Sequence, residues 1–211
     1  MDTRTKGFNT KLVHAGIRED AHGSVVTPIY QTSTFAFRNA QQGADRFAGK
    51  EDGYIYTRIG NPTTAALEEN VAQLENGFGA TAMASGMGAV STVYLALLSA
   101  GDHMVSTDSV YGPSRGLMEK HMSRFGVEST YVDTSDLENL RRAMKPNTKM
   151  VYIESPSNPA MSVTDIAAAA EIAHAAGAVL VVDNTFASPH LQKPLDLGAD
   201  ALGALVADEL G

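Results

Sequence analysis

From residue 80 onward, short apolar segments alternate with segments of helical periodicity. The apolar segments predict β-strands at 80–84, 103–106, 127–132, 150–153 and 179–182. The stretches between them predict helices near 88–98, 114–124, 136–144 and 164–175. Short apolar strands that are separated by helices are typical of a mainly parallel sheet covered on both faces. The pattern therefore predicts an α/β fold with a mainly parallel sheet flanked by helices.

The N-terminal part of the chain lacks this alternation. It is rich in polar and turn-forming residues, which predicts an extended arm with one short helix. At Asn61 and Pro62 the pattern changes, because proline in the first helical position is a frequent helix start and apolar residues then recur at helical spacing. We therefore expect an N-terminal arm at residues 1–60 and a large α/β domain at residues 61–211.

Composition and charge indicate which kind of molecule the protein binds. A chain of 211 residues with 44% hydrophobic residues can bury a sizeable core, and its net charge of -8 comes without any run of Lys or Arg. This pattern predicts a small-molecule partner rather than nucleic acid or a membrane surface. The polar N-terminus and the absence of a long apolar run favour a cytoplasmic location. The lack of cysteine excludes disulfides and thiolate chemistry, and no histidine spacing indicates a metal site.

Polar residues follow the ends of the predicted strands. They are Ser85-Gly86, Asp108 to Tyr111, Glu154 to Asn158 and Asp183-Asn184-Thr185. Ligands of mainly parallel sheets bind at the carboxyl ends of the strands. The sequence therefore predicts a binding site that is formed by these four segments.

Two of the segments have chemistry that fits a phosphorylated pyridine. Gly86 and Met87 lie between a predicted strand and a predicted helix, so backbone amides at this point can bind a phosphate, although a tight turn that needs glycine explains the same residues. Asp183 ends an apolar strand, where a carboxylate needs a cation or a hydrogen-bond donor. A protonated pyridine nitrogen would serve. The alternative is that Asp183 only caps the turn that contains Thr185.

Three further residues are weaker candidates. Tyr111, next to a glycine, could stack on a planar ligand, although a single tyrosine is more often a packing or turn residue. Tyr56 and Arg58 lie two residues apart on an extended segment and are both good phosphate donors. Their default interpretation is an exposed surface.

Taken together, these segments match one enzyme family in order and spacing. The matching segments are 56–63 (Tyr-Thr-Arg-Ile-Gly-Asn-Pro-Thr), 85–87 (Ser-Gly-Met), 111–112 (Tyr-Gly), 154–159 (Glu-Ser-Pro-Ser-Asn-Pro) and 182–186 (Val-Asp-Asn-Thr-Phe). From about Thr10 to about Asp200 the chain resembles the pyridoxal 5'-phosphate (PLP) enzymes of trans-sulfuration, in Cys/Met metabolism. Each motif is weak alone, but the set is highly specific.

The resemblance implies a fold, a cofactor and a role for each candidate. The fold would be the large domain of a type I PLP-dependent transferase, and the cofactor would be PLP. Gly86 and Met87 would bind its phosphate, Tyr111 would stack on its ring and help move protons, and Asp183 would pair with the ring nitrogen. Asn158 would bind near the ring hydroxyl, with Glu154 and Thr185 as supporting positions. Tyr56 and Arg58 would reach the cofactor phosphate of a neighbouring subunit in a homodimer or homotetramer.

The chain departs from the family near its C-terminal end. The family's Schiff-base lysine lies in a Ser-x-Thr-Lys type segment a few residues after position 200, and Asp208 stands there in this chain. Lys193, the only lysine after Asp183, lies in a segment that resembles a helix or loop of the family. Because covalent catalysis through an imine needs an amine, we expect an incomplete large domain and no activity from this chain alone.

Within the family, the residues around Tyr111 look closest to the methionine γ-lyases, which implies γ-elimination of L-methionine or a related substrate. Pro113 stands where methionine γ-lyases carry a cysteine, so cystathionine γ-synthase or γ-lyase and O-acetylhomoserine sulfhydrylase stay open as alternative activities.

A non-catalytic fragment that acts by dimerisation is a second class of function. A nicotinamide-dependent oxidoreductase is a third, because residues 86–91 approximate a dinucleotide fingerprint and Asp108 follows at a suitable distance.

Overall fold

A computed structural model of the chain describes residues 3–203. These residues form two compact units, one that runs to Ala82 and one that begins at Met83. The elements follow in the order α1 (Phe8–His14), α2 (Ala40–Phe47), α3 (Pro62–Leu74), α4 (Gly86–Leu97), β1 (His103–Thr107), α5 (Gly112–Lys120), β2 (Glu128–Val132), α6 (Leu137–Ala143), β3 (Thr148–Glu154), α7 (Ile166–Ala175), β4 (Val179–Asp183) and β5 (Ala201–Gly203), with short 3-10 helices at Met122–Phe125 and Pro194–Leu197.

The second unit is built on a parallel sheet with the strand order β2-β1-β3-β4-β5. The central strands β1 and β3 are buried on both faces, and this explains the apolar residues at 104–105 in β1 and at 150–153 in β3. Alternate residues supply two cores. Val151 and Ile153 pack with α6 and α7 on one face, whereas Met150 and Tyr152 pack with α4 and α5 on the other. The predicted α/β fold, a parallel sheet flanked by helices, is confirmed.

The first unit contains α1, α2 and α3. Asn61 caps α3 by accepting a hydrogen bond from the Thr63 N–H at 2.8 Å, with Pro62 in the first turn as predicted. The prediction of one short helix in the arm is wrong, because two helices, α1 and α2, lie there. The sequence pattern missed α1 because it has no side-chain cap and is held by α3, whose Asn70 side chain donates to the carbonyls of Lys11 and Ala15.

The strand predicted at 80–84 is wrong. These residues pair with no neighbouring strand in the described part of the chain, and their Ala82 N–H donates instead to the Glu68 carboxylate at 2.9 Å. Apolar composition cannot supply the neighbour that a strand needs. The predicted helix 164–175 begins at Ile166, because Asp165 rather than Thr164 provides the cap. The other four predicted strands are present with small shifts of their ends.

Three sequence predictions concern the boundary of the arm, its neighbouring subunit and the C-terminal segment. The boundary after residue 60 and the role of the arm in a neighbouring subunit stay predictions, and the observed units divide at a different place, after Ala82. Asp208 and its segment lie outside the described residues. Within residues 3–203, no helix is both long enough and apolar enough to cross a membrane.

Candidate functional site

The candidate site lies where the order of the strands reverses. β1 is flanked by β2, which follows it in the chain, and by β3, which comes after the chain has crossed back. The loops that leave β1 and β3 therefore diverge and open a crevice at the carboxyl ends of the strands. A cavity of about 280 Å³ occupies this place in the second unit. Six of the predicted site residues line it: Gly86, Met87, Tyr111, Asn158, Asp183 and Thr185.

The amino end of α4 supplies one wall of the cavity. Ser85 caps this helix, and its hydroxyl accepts a hydrogen bond from the Gly88 N–H at 3.1 Å. The first amides of a helix have no acceptor within the helix, so those of Gly86 and Met87 are available to an anion, which the helix dipole also favours. Among the described residues no strand leads into Gly86, which removes the structural context that a dinucleotide fingerprint requires.

Asp183 stands at the end of β4 and is held by three hydrogen bonds. Its Oδ1 accepts from the Thr185 N–H at 3.1 Å and from the Thr185 hydroxyl at 2.6 Å, and its Oδ2 accepts from the Tyr152 hydroxyl at 3.0 Å. The turn interpretation is confirmed, because Asp183 caps the turn that contains Thr185. Asp183 also lines the cavity, and its pairing with a ring nitrogen stays a prediction. Its carboxylate is fixed in direction before any ligand arrives.

Glu154 is the second carboxylate of the site, and it is almost fully buried. It ends β3 and is the register partner of Asp183 on β4. Its Oε2 accepts from the backbone N–H of Tyr111 at 2.8 Å, and its Oε1 accepts from that of Asn158 at 2.7 Å. Burial raises the pKa of Glu154 to about 7; the charge of Asp183 also raises it, and the two amide hydrogen bonds oppose the rise.

Two buried tyrosines behind Asp183 were not identified from the sequence. Tyr152 lies in β3, and its ring packs edge to face on Tyr94 of α4, with the ring centroids 5.3 Å apart. Burial raises the pKa of both phenols, so they remain protonated and can donate hydrogen bonds. The available signal was the hydroxyl itself, since a tyrosine inside an apolar strand needs a polar partner.

The charges of the lining indicate which ligand the cavity can accept. Asp183 and Glu154 are close together, and no lysine or arginine is among the described residues that line the cavity. A ligand that brings a positive charge would offset their repulsion. The amide end of α4 favours an anion, and the half-exposed ring of Tyr111 offers a flat apolar surface. PLP combines a phosphate, a flat ring and a protonated ring nitrogen, so the residues present fit this cofactor.

Tyr56 and Arg58 belong to the first unit and are not part of this lining. The Arg58 guanidinium lies over the ring of Tyr56, 5.3 Å from its centroid. Both side chains help to line a shallow apolar cavity with Phe35 and Phe37. The prediction of an extended segment is wrong beyond Tyr56, because residues 57–59 form a turn in which the Ile59 N–H donates to the Tyr56 carbonyl at 2.8 Å.

Known proteins are similar to this chain over most of its length. The family described as "Cys/Met metabolism PLP-dependent enzyme" matches residues 9–203. An L-methionine gamma-lyase of Treponema denticola is 52% identical over 198 residues, which cover 93% of this chain and 49% of that protein. An O-succinylhomoserine sulfhydrylase of Pseudomonas aeruginosa is 45% identical over 201 residues, which cover 95% of this chain and 50% of that protein.

A solved structure gives the same picture. The cystathionine gamma-lyase of Lactobacillus plantarum, complexed with L-serine, superimposes with a TM-score of 0.84 at 44% sequence identity, over 93% of this chain and 49% of that one. The chain thus spans about half the length of the curated relatives it matches.

Proposed function

The chain belongs to the family of Cys/Met metabolism PLP-dependent enzymes, and on this premise we propose that its cavity is the PLP site of an enzyme for γ-elimination of L-methionine or a related sulfur amino acid. One observation carries the proposal. Asp183, the amide end of α4 and the ring of Tyr111 face one cavity whose described lining holds two carboxylates and no cation. Substrates in this family are amino acids, which fits a small-molecule site of this size.

Each residue has a role that follows from its position. The amides of Gly86 and Met87 would bind the phosphate of the cofactor, and Tyr111 would cover one face of its ring. Asp183 would hold the proton on the ring nitrogen, with Thr185 and Tyr152 keeping its carboxylate in place. With that proton in place, bound PLP supplies an electron sink for bonds at the α carbon of an amino acid.

Proton transfer is the second task of the site. In γ-elimination the substrate loses protons from its α and β carbons, and the thiol leaves as the Cγ–S bond breaks. For L-methionine and one water molecule, the balanced products are methanethiol, ammonia and 2-oxobutanoate. The Tyr111 hydroxyl is the group we assign to proton movement, because its side chain is half exposed at the mouth of the cavity.

The choice of L-methionine rests on similarity, since the L-methionine gamma-lyase of Treponema denticola has the highest identity of the relatives described above. Cystathionine and activated homoserine esters are the alternative substrates, and relatives named for such activities are 44 to 45% identical. We also propose a homodimer or homotetramer, in which Tyr56 and Arg58 reach the cofactor of a neighbouring subunit, and a cytoplasmic location.

Titration of the purified chain with PLP tests the site. We expect the wild-type chain to bind PLP and Asp183→Asn to bind it at least about ten-fold more weakly, because the amide cannot hold the ring proton as a charged partner. Asp165→Asn is the matched control, since Asp165 caps α7 outside the cavity lining and asparagine is an equally good cap. Equal affinities for PLP in the Asp183 variant and the control would contradict the proposed site.

A second measurement tests turnover. Because Asp208 stands where the family has its lysine, the chain supplied with PLP and L-methionine should release no 2-oxobutanoate. Native mass spectrometry of the chain mixed with a full-length methionine gamma-lyase should show mixed oligomers. Sustained 2-oxobutanoate release by the chain alone would overturn the assignment of the missing amine, and strictly separate masses would overturn the proposed assembly.

A further inference from the structure

Glu154 connects two segments of the chain through the two oxygens of its carboxylate. Its Oε2 holds the N–H of Tyr111, the residue that precedes α5, and its Oε1 holds the N–H of Asn158 in the loop after β3. The Tyr111 segment follows β1, so the two loops belong to different strands. A single side chain at the end of β3 therefore fixes the backbone of both residues that flank the cavity.

The other contacts of these segments do not replace this link. Asn158 lies in a loop that folds back on itself, where the Ser157 N–H donates to the Ser162 carbonyl at 3.0 Å. On the other side, the Tyr111 carbonyl accepts from the Arg115 N–H at 3.2 Å and so starts α5. These bonds shape each segment separately. The Glu154 carboxylate fixes the position of one segment relative to the other.

Keeping a carboxylate at this place is costly for the fold. Glu154 is 5% exposed and is the register partner of Asp183, so burial and like charge both oppose its ionisation. Its two amide partners are neutral and offset only part of this cost. An uncharged residue of similar size would avoid the penalty but could not accept two N–H bonds through two oxygens.

We infer that Glu154 is a positioning residue, which ties the segments of Tyr111 and Asn158 to the end of β3 so that both side chains are in place for the same ligand. The inference deepens the proposed function and rests on it. It predicts that Glu154 acts on the ring of the cofactor through its two neighbours, without affecting how the amino end of α4 binds a phosphate.

The test compares Glu154→Gln with Asp165→Asn, which makes the same acid-to-amide change at a helix cap outside the cavity lining. Glutamine keeps one acceptor oxygen, so at least one of the two hydrogen bonds is lost. By NMR at pH 8, above the pKa of Glu154, the amide of Tyr111 or of Asn158 should exchange with solvent on the order of ten-fold faster in Glu154→Gln. Asp165→Asn should leave both amides unchanged.

Ligand binding separates positioning from a general loss of structure. In Glu154→Gln the affinity for PLP should fall about ten-fold, while inorganic phosphate, which needs only the amide end of α4, should bind as it does to the wild type. Unchanged exchange at both amides would overturn the inference. An equal loss of affinity for PLP and for phosphate would also overturn it, because it would indicate a purely structural role.

The inference stays testable if the wild-type chain binds no PLP or if the variant does not fold. If the wild-type chain binds no PLP, the proposed function fails, and the amide exchange rates still decide whether Glu154 ties the two segments. If Glu154→Gln does not fold, the wild type provides the measurement, because the amide shifts of Tyr111 and Asn158 should titrate with the same midpoint as the Glu154 carboxyl carbon. Different midpoints would refute the link.

Discussion

Replacement of Tyr152 by phenylalanine is the sharpest test of the hydrogen-bond network behind the cavity. The change removes one hydroxyl and keeps the ring that packs on Tyr94. That hydroxyl donates to Asp183 Oδ2 at 3.0 Å, and the side chain is almost completely buried, so no water can easily take its place. A hydrogen bond to a charged group contributes about 1.5 to 3 kcal/mol, so we expect Tyr152→Phe to lose about 2 kcal/mol of stability.

The assay must follow the second unit separately, because the chain forms two compact units and a single melting curve could mix them. Hydrogen exchange of the slowest amides in β3 and β4 reports the global opening of this sheet. Tyr131→Phe is the matched control, since the buried hydroxyl of Tyr131 has no carboxylate partner among the described residues. Its loss should change the opening free energy by less than about 0.5 kcal/mol.

The comparison has a clear refuting result. If Tyr152→Phe opens no more easily than Tyr131→Phe, the hydroxyl of Tyr152 does not stabilise the Asp183 carboxylate. The network would then be a consequence of packing rather than a support of the site. A loss near 2 kcal/mol in Tyr152→Phe alone would show that the support for Asp183 is built into the core of the sheet.

Two further predictions concern pH and backbone geometry. The pKa of Glu154 rises from 4.5 to about 7, so the folded state holds a proton that the unfolded state releases. This residue therefore makes stability fall by roughly 3 kcal/mol as the pH rises from about 4.5 to 7. Glu154→Gln should flatten this pH dependence of the opening free energy, measured by hydrogen exchange of the slowest amides in β3 and β4. Gly16 has a φ of +78° and an added Cβ would lie 2.1 Å from the Ala66 carbonyl oxygen, whereas Gly23 has a φ of +70° in open space. Gly16→Ala should therefore cost at least about 3 kcal/mol and Gly23→Ala about 1 kcal/mol, measured by amide exchange in α3, and equal losses would contradict the steric reasoning.

The sequence predicted the sheet well where burial on both faces determines composition. β1, β3 and β4 are buried strands, and their apolar segments mark them within one or two residues. Residues 80–84 have a similar composition, yet no strand forms, because pairing depends on a neighbour that lies elsewhere in the chain. β5 has only three residues and gives no periodic signal. Local pattern therefore predicts burial, whereas pairing requires tertiary information.

The site was predictable for a different reason. Polar residues directly after buried strands must lie at the same edge of a parallel sheet, which brings Tyr111, Glu154 and Asp183 together without knowledge of the strand order. The supporting residues were not predictable in this way. Tyr152 reaches Asp183 only because β3 and β4 pair in the observed register, and its sequence neighbours indicate only an apolar strand.

The two carboxylates of the cavity are stabilised by different hydrogen bonds, and this difference affects how the cavity responds to a bound ligand. Asp183 receives three hydrogen bonds and faces the cavity, whereas Glu154 receives two backbone amides and has a pKa of about 7. A positive charge bound at Asp183 would lower the pKa of Glu154, because it favours the ionised form of this neighbouring acid. The ionised form of Glu154 is the stronger acceptor for the amides of Tyr111 and Asn158. Binding of a cationic ring would therefore tighten the two loops that enclose it, so the cavity becomes better ordered when the charge it lacks is supplied.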